Sequence, residues 1–134
     1  AALLLALPLL WQFANLARIW PDYLAWFNEA IADPARIAVD SDLDWGQDLR
    51  RLERRLAQLR VPEVAIAYSG TANWALEPLP PFTRLPPDER VTGWVAISAL
   101  ARLEARDGYD WLYAYRPLER IGRTIDLYYI VDEP

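Results

Sequence analysis

The amino-acid sequence predicts an α/β fold, a small domain of two or three layers built on a mostly parallel sheet of about four strands. Short runs rich in β-branched or other apolar residues stand at 36–40, 63–68, 92–98 and 124–131. Helical patterns separate several of these runs, and this alternation is typical of parallel sheets. The 134 residues suffice for one ordinary domain with a hydrophobic core.

Residues 1–20 are predicted to be the end of a transmembrane helix. The first eleven residues carry no charge, and as a helix they would span roughly 16 Å, about half of a ~30 Å hydrocarbon core. The alternatives are a helix buried in a soluble core and a signal peptide. Aromatic side chains suited to headgroup depth follow the apolar run: Trp11, Phe13, Trp20, Tyr23, Trp26 and Phe27.

Positive charge is sparse after the apolar run. Arg18 and Arg36 are the only basic residues between that run and position 40, whereas cytoplasmic flanks of spans are usually rich in Lys and Arg. We therefore expect the membrane as a partner and the following domain on the extracytoplasmic, periplasmic side.

Residues 21–35 are predicted to form an interfacial helix or connector. Pro21 ends or bends the first helix, Asp22 can act as an N-cap, and Pro34 closes the segment. Residues 36–134 then form the soluble α/β domain.

A strongly patterned helix is predicted at residues 45–60, directly after the first strand. Its apolar residues recur at spacings of four and three, which places them on one stripe facing the core: Trp45, Leu49, Leu52, Leu56 and Leu59. A solvated face balanced by nearby acids is the simpler interpretation of the arginines off this stripe. The functional interpretation is contact with a membrane surface or a lipid-linked phosphate, with four candidates: Arg50, Arg51, Arg54 and Arg55.

The second half of the chain is predicted to be two inner strands, a short helix and a final strand. The proline-rich segment LEPLPPFTRLPPDER between the strands at 63–68 and 92–98 reads as a long surface loop. The helix in ALARLEARDG is expected to stop at Gly108. The strand at 124–131 can pair antiparallel to its neighbour.

Composition excludes several classes of function. A net charge of -5 argues against a nucleic-acid partner, since phosphate neutralisation needs clustered positive charge. The absence of Cys and His removes disulfides, thiolate nucleophiles and the usual neutral-pH proton shuttle.

The first interpretation of the segment DSDLDWGQDL, residues 40–49, is a metal-binding site. Asp40, Asp42 and Asp44 have the spacing of the start of a calcium loop. The rest of the loop fails, because Trp45 stands where Gly is needed and Arg51 where a bidentate Glu is needed. No cofactor is therefore predicted, with calcium or magnesium kept as the weaker alternative.

Catalysis and helix capping are the other two interpretations of the same segment. A carboxylate pair without His or Cys is a weak catalytic signal, and no catalytic residue is assigned. A capping box is more specific: Asp44 accepts from the Gln47 backbone N–H while Gln47 reaches back. Asp48 adds negative charge to the first helical turn. The structural motif is Asp44, Trp45, Gly46, Gln47 and Asp48.

Ligand-binding candidates stand where the predicted strands end, because open α/β sheets bind ligands beyond the carboxyl ends of their strands. They carry carboxylate, hydroxyl or amide groups that suit a sugar or a phosphate: Asp40, Ser41, Asp42, Tyr68, Ser69, Asn73 and Ser98. The tryptophans at 74, 94 and 111 are assigned to the core, with sugar stacking left open for Trp74 in its loop.

Several segments together resemble a known family. The resemblance rests on YLAWFNEA, VDSDLDWGQDLRRL, AYSGTAN, GWVAIS and YDWLYAYRPLERIGRTIDLYYI. These are similar to the C-terminal region of bacterial family-39-like, lipid-carrier-dependent membrane glycosyltransferases, relatives of the dolichyl-phosphate-mannose protein mannosyltransferases. The most specific piece is the Asp-Ser-x-x-Asp-Trp-Gly-Gln-Asp run, matched at residues 40–48. Asp42 differs from the Asn of the family pattern, and Ser69 from its usual aromatic residue.

The resemblance implies an extracytoplasmic C-terminal domain that follows the last transmembrane helix of such an enzyme, with the upstream membrane domain as a partner. The catalytic aspartate is expected in that membrane part, so this fragment should be inactive alone. It would help to recognise a glycan acceptor or a lipid-linked sugar. The alternative is a membrane-anchored, non-enzymatic module that binds a glycan or a protein.

Overall fold

The computed structural model describes residues 2–23 and 44–131. The predicted strand at 36–40, most of the predicted connector, and three ligand candidates, Asp40, Ser41 and Asp42, lie outside these residues.

The first helix, α1, runs from Ala2 to Ile19 and contains Pro8. Its large apolar side chains are largely exposed, with Phe13 at 73% and Leu10 at 65%. Asn15 and Ile19 are the buried side chains among those described in this helix. Such exposure is at odds with a helix buried in a soluble core. Within the described part of the chain, no helix has both the length and the hydropathy of a membrane span.

The second helix, α2, spans Gln47–Gln58, two residues shorter at each end than predicted. The stripe prediction is confirmed for Leu49, Leu52 and Leu56, which are completely buried. The helix ends because Arg60 adopts a left-handed φ of 53° and the Val61 N–H donates to the Leu56 carbonyl (3.0 Å).

The sheet has five strands in the described part of the chain, in the order β2-β1-β3-β5-β4. Their bounds are β1 Val64–Ala67, β2 Phe82–Arg84, β3 Gly93–Ser98, β4 Glu119–Ile121 and β5 Ile125–Ile130. The predictions of strands at 63–68, 92–98 and 124–131 are confirmed. The β2-β1-β3 part is parallel, whereas β5 pairs antiparallel with both β3 and β4. The sheet is thus mixed, with a parallel part and an antiparallel part.

Sequence reasoning missed β2 and β4, which form the two edges of this sheet. Each has three residues, and β2 lies inside the proline-rich segment that the sequence predicts to be a loop. All three side chains of β2 are exposed, so no alternation marks it, and Leu85 directly after it is buried. Proline is tolerated at sheet edges because one side of an edge strand needs no partner.

Alternate residues of the sheet face two separate cores. Val64 and Ile66 pack with α2. Ala65 and Ala67 pack on the other side, with the helix α3 (Ala99–Glu104) and the 3-10 helix Arg106–Ala114. The domain is therefore three-layered, one of the two arrangements predicted.

The prediction that Gly108 stops the third helix is wrong. α3 ends at Glu104, and Gly108 lies inside the 3-10 helix that follows. A Cβ at Gly108 would come within 2.6 Å of the Pro87 Cβ, so glycine is needed here for close packing against the proline-rich segment.

Candidate functional site

An open groove of about 680 Å³ lies between the start of α2 and the loop that follows β1. Its α2 side carries three arginines, and its loop side carries polar and apolar side chains. The lining residues are Trp45, Gly46, Gln47, Arg50, Arg51, Arg54, Ala72, Asn73, Leu76 and Glu77. We refer to it below as the Trp45 groove.

The turn that leads into α2 differs from the predicted capping box. The Asp44 Oδ1 accepts from the Gly46 N–H (2.8 Å) and, at 3.5 Å, from the Asp48 N–H. The Gln47 Oε1 does reach back, but it accepts from the Trp45 N–H (2.8 Å). The N-cap position is Gly46, without a side-chain cap. The two predicted side chains therefore order the turn before the helix, and Asp44 also reaches the first helical turn through the Asp48 N–H.

Gly46 allows the α2 start to approach the loop wall of the groove. Its φ of 103° lies in the region that favours glycine. A Cβ there would also stand 2.7 Å from the Ala72 Cβ. Both features fix the path of the chain through Trp45 and Gly46.

Trp45 does not open the buried stripe of α2, contrary to prediction. It precedes the helix and is 60% exposed, because the left-handed turn at Gly46 shifts it off the helical stripe. Leu76, on the loop side, is 79% exposed. A large exposed aromatic ring beside polar groups is more informative about binding than a buried one.

The four candidate arginines behave differently from one another. Arg50 pairs with Glu77 (3.3 Å), and Arg55 pairs with Glu119 (2.7 Å). Arg51 lies between two acids, Asp22 and Asp48, with nitrogen–oxygen distances of 2.5 and 2.8 Å. These pairs fit the simpler interpretation of a face balanced by nearby acids.

Arg54 is the exception among the four. It is exposed and lines the groove, and the described residues place no carboxylate within ion-pair distance of it. Binding of a membrane or phosphate by this face stays a prediction.

Asp48 is the most deeply embedded charged group among the described residues. It is completely buried and accepts from the backbone N–H groups of Arg123 (2.8 Å) and Thr124 (2.9 Å). The Thr124 hydroxyl lies 2.8 Å from the same carboxylate. Asp48 is in the first turn of α2 as predicted, but its main contacts tie that helix to the turn between β4 and β5.

Tyr68 stands at the end of β1 with its hydroxyl buried and facing Asp44, and the described residues provide no hydrogen-bond partner for this hydroxyl. Its ring contacts Trp74 edge-on (5.7 Å between centroids). Burial raises the pKa of the Tyr68 hydroxyl, and the negative charge of Asp44 adds to this rise. A Cβ at Gly70 would collide with this hydroxyl. Trp74 packs against the core, as predicted.

Ser69 and Ser98 are brought together, but away from the Trp45 groove. The Ser98 Oγ accepts from the Ser69 N–H (3.0 Å) and from the Ala101 N–H (3.2 Å), where it caps α3. The Ser69 hydroxyl donates to Glu104 (2.5 Å). Ser69 and Tyr68 line a second cavity of about 490 Å³, whereas Asn73 lines the Trp45 groove. The described ligand candidates are thus divided between two places.

Three contributors to this region were missed from sequence. Glu77 and Leu76 lie in a stretch that gave no helical or strand pattern, and Thr124 was assigned only to the last strand. Acidic Glu77, close in sequence to Asn73, was the available signal for a polar groove wall. No local signal connects Thr124 to Asp44, because 80 positions separate them.

No group of three or more potential metal ligands stands together in the part of the chain that the structure describes. The predicted calcium or magnesium alternative depended on Asp40 and Asp42, which lie outside that part, so this alternative stays a prediction.

Comparisons of the chain with protein-family models, curated proteins and solved structures find no match. Function is therefore inferred from the groove and from the sequence resemblance alone.

Proposed function

We propose that this chain is the C-terminal accessory domain of an integral-membrane glycosyltransferase that uses a polyprenyl-phosphate sugar donor, and that the Trp45 groove binds a sugar. The observation that carries the proposal is the 60% exposed Trp45 ring on a groove lined by planar polar side chains. The domain would stand on the extracytoplasmic side of the cell membrane.

The groove offers the two kinds of contact that a sugar needs. The Trp45 face can cover the apolar C–H face of a pyranose ring. Asn73, Glu77 and Arg50 supply donors and acceptors for sugar hydroxyls. Arg54 adds a positive charge that suits a sugar linked to a phosphate.

The exposed apolar surface of α1 supports attachment to a membrane. Phe13 in α1 and Trp20, directly after the helix, are 73% and 69% exposed, which is costly in water and favourable at a lipid interface. Asp22, three residues after the end of α1, contacts Arg51 in the wall of the groove. Such a contact would hold the groove close to the end of the membrane-facing helix.

Binding of monosaccharides to the full 134-residue chain in detergent micelles tests the proposal. Saturation-transfer NMR with glucose, galactose, mannose and N-acetylglucosamine should show contact for at least one sugar. Trp45→Ala should weaken that binding at least about fivefold, equivalent to about 1 kcal/mol, and should lower transfer by the intact enzyme.

Tyr113→Ala is the matched control. Tyr113 is 70% exposed and lies in the 3-10 helix on the opposite face of the sheet. This change should leave sugar binding intact. No contact with any of the four sugars, or equal losses for both variants, would contradict the proposal.

The alternative is a membrane-anchored, non-enzymatic binding module, which the same groove would serve. The sequence upstream of Ala1 separates the two. Many further hydrophobic spans with an early acidic loop support the glycosyltransferase, whereas a single span supports the module.

A further inference from the structure

Two buried carboxyl groups meet at one hydroxyl beneath the Trp45 groove. The Thr124 Oγ1 lies 2.9 Å from the Asp44 Oδ2 and 2.8 Å from the Asp48 Oδ2. Asp44 is 6% exposed and Asp48 is completely buried. Solvent water therefore has little access to the two carboxyl groups and the Thr124 hydroxyl, and it cannot easily insert between them.

The number of protons decides how these contacts can be made. A threonine hydroxyl has one proton and donates one hydrogen bond. If both carboxyl groups were ionised, one of the two contacts would bring two unprotonated oxygens together without a hydrogen between them. If one carboxyl group is protonated, it can donate to the Thr124 hydroxyl while that hydroxyl donates to the other carboxyl group. Both contacts are then hydrogen bonds.

Asp48 is the better supported of the two carboxyl groups. The Arg51 guanidinium contacts it at 2.8 Å, and the N–H groups of Arg123 and Thr124 donate to it. One charged donor and two backbone donors therefore converge on the Asp48 carboxylate.

Asp44 lacks this support. Within residues 2–23 and 44–131, no arginine lies within ion-pair distance of Asp44, and the other oxygen of its carboxyl group accepts from the Gly46 N–H (2.8 Å) and, at 3.5 Å, from the Asp48 N–H. Burial raises the pKa of Asp44 above its ordinary value of 3.8, and the nearby charge of Asp48 acts in the same direction, whereas the hydrogen bonds from the Gly46 N–H, the Thr124 hydroxyl and the Asp48 N–H oppose the rise.

We propose that Asp44, Thr124 and Asp48 form a proton-binding site in which Asp44 donates to Thr124 and Thr124 donates to Asp48, and that this proton positions Trp45. Asp44 keeps its proton at pH values where an exposed aspartate has lost it. The chain of hydrogen bonds joins the turn before α2 to the turn between β4 and β5. Asp44 is thus a positioning residue, since it contacts the groove only through the Gly46 turn.

The other charged or titratable groups near this site fit the assignment. Tyr68 faces it from the end of β1 and stays neutral, because burial and the carboxylates raise its pKa. Glu77, on the loop wall of the groove, adds negative charge. Arg51 and Asp22 belong to the ion pairs beside Asp48, and the Arg123 side chain points to Asp22 (3.9 Å).

The sign of the pH dependence follows from the raised pKa of Asp44. As pH rises from about 4, the unfolded chain loses the Asp44 proton first, so the folded state becomes relatively less stable. The loss stops once the pH has passed the pKa of the folded state. Above it, two negative charges face Thr124, and the turn that carries Trp45 should loosen.

The test is a pH titration of the Asp44 Cγ by carbon NMR on the full chain, with Asp44→Asn and Asp48→Asn as matched variants. The midpoint for Asp44 should lie above that of an ordinary aspartate, and the protection factor of the Gly46 N–H, measured relative to the intrinsic exchange rate at each pH, should fall above this midpoint. Asn at 44 mimics the protonated acid, because its N–H₂ can donate to Thr124 and its oxygen can accept from Gly46.

The two variants should therefore differ. Asp44→Asn should leave the denaturation midpoint at neutral pH unchanged or higher and remove its fall with rising pH. Asp48→Asn should lower the midpoint, because Arg51 loses a carboxylate. An Asp44 Cγ that titrates like an ordinary aspartate overturns the proposal, whatever the variants do.

The expected effect of the Asp44 proton on sugar binding, through the position of Trp45, rests on the proposed function. The NMR titration of Asp44 does not depend on that function. If no sugar binds but Asp44 holds its proton, the proposed function fails alone. If sugars bind and Asp44 titrates normally, the proton site fails alone.

Discussion

Gly122 is a single residue on which the environment of the buried Asp48 carboxylate depends, although the two lie far apart in sequence. It lies in the turn between β4 and β5 with a φ of 59°. A Cβ at this position would overlap the carboxylate of Asp48. The turn can therefore deliver its N–H groups to Asp48 only if residue 122 has no side chain.

Substitution of Gly122 by Ala should be strongly destabilising. The left-handed backbone and the displaced carboxylate together should lower the free energy of unfolding by about 3 kcal/mol. Gly93→Ala is the matched control, since Gly93 has a φ of 87° but nothing within 4 Å of its would-be Cβ. It should lose about 1–2 kcal/mol, all from the backbone. Equal losses in urea denaturation would show that the Asp48 contact contributes nothing.

For individual residues, the sequence indicated which side chains order the start of α2, but it gave only part of what each side chain does. Asp44, Gln47 and Asp48 were predicted to order a helix start, and all three make hydrogen bonds there. The link from Asp48 to Thr124 was out of reach, because 76 positions separate the two residues. Local capping rules describe only neighbours within one helical turn.

Among the elements, α2 was the most predictable and the edge strands were the least. The leucine stripe of α2 has a period that only a helix with one buried face explains. Strands β1, β3 and β5 are flanked on both sides, so each carries enough buried side chains to be recognised. β2 and β4 have one neighbour each and three residues each, and their positions are set by tertiary pairing rather than by local pattern.

The α2 stripe should account for a large share of the stability. Leu52→Ala removes a completely buried side chain from the core beneath α2 and should lower the free energy of unfolding by about 2–5 kcal/mol. Leu103→Ala in α3, where the side chain is 57% exposed, should change it by less than about 0.5 kcal/mol. Chemical denaturation followed by circular dichroism measures both. A small loss for Leu52→Ala would mean that α2 does not hold the core together.

On the scale of the whole molecule, the exposed apolar side chains of α1 should govern association with lipid. Phe13→Glu places a charge on a side chain that is 73% exposed, so the free energy of unfolding of the domain should hardly change. Transfer of that charge into lipid costs about 2–3 kcal/mol, so flotation with phosphatidylcholine vesicles should decrease strongly. Leu118→Glu, a position outside α1 that is 60% exposed, should leave flotation unchanged. A wild-type chain that fails to float would contradict membrane attachment.

The three-layer arrangement could be predicted in outline but not in topology. Alternating strands and helices indicated an α/β fold, and the possibility of an antiparallel last strand was recognised. The Gly122 turn joins β4 to β5, but the insertion of β5 between β3 and β4 could not be read from sequence, because no short turn joins β3 to β5.

The central position of β5 also constrains the order in which the chain can fold during synthesis. Until residues 125–130 leave the ribosome, β3 has one open edge, and β4 has no partner among the described strands. The same delay leaves the Asp48 carboxylate without the N–H groups of residues 123 and 124. Residues 125–130 must therefore be synthesised before the sheet of this domain can form completely, and a chain truncated before residue 125 should remain accessible to proteases and chaperones.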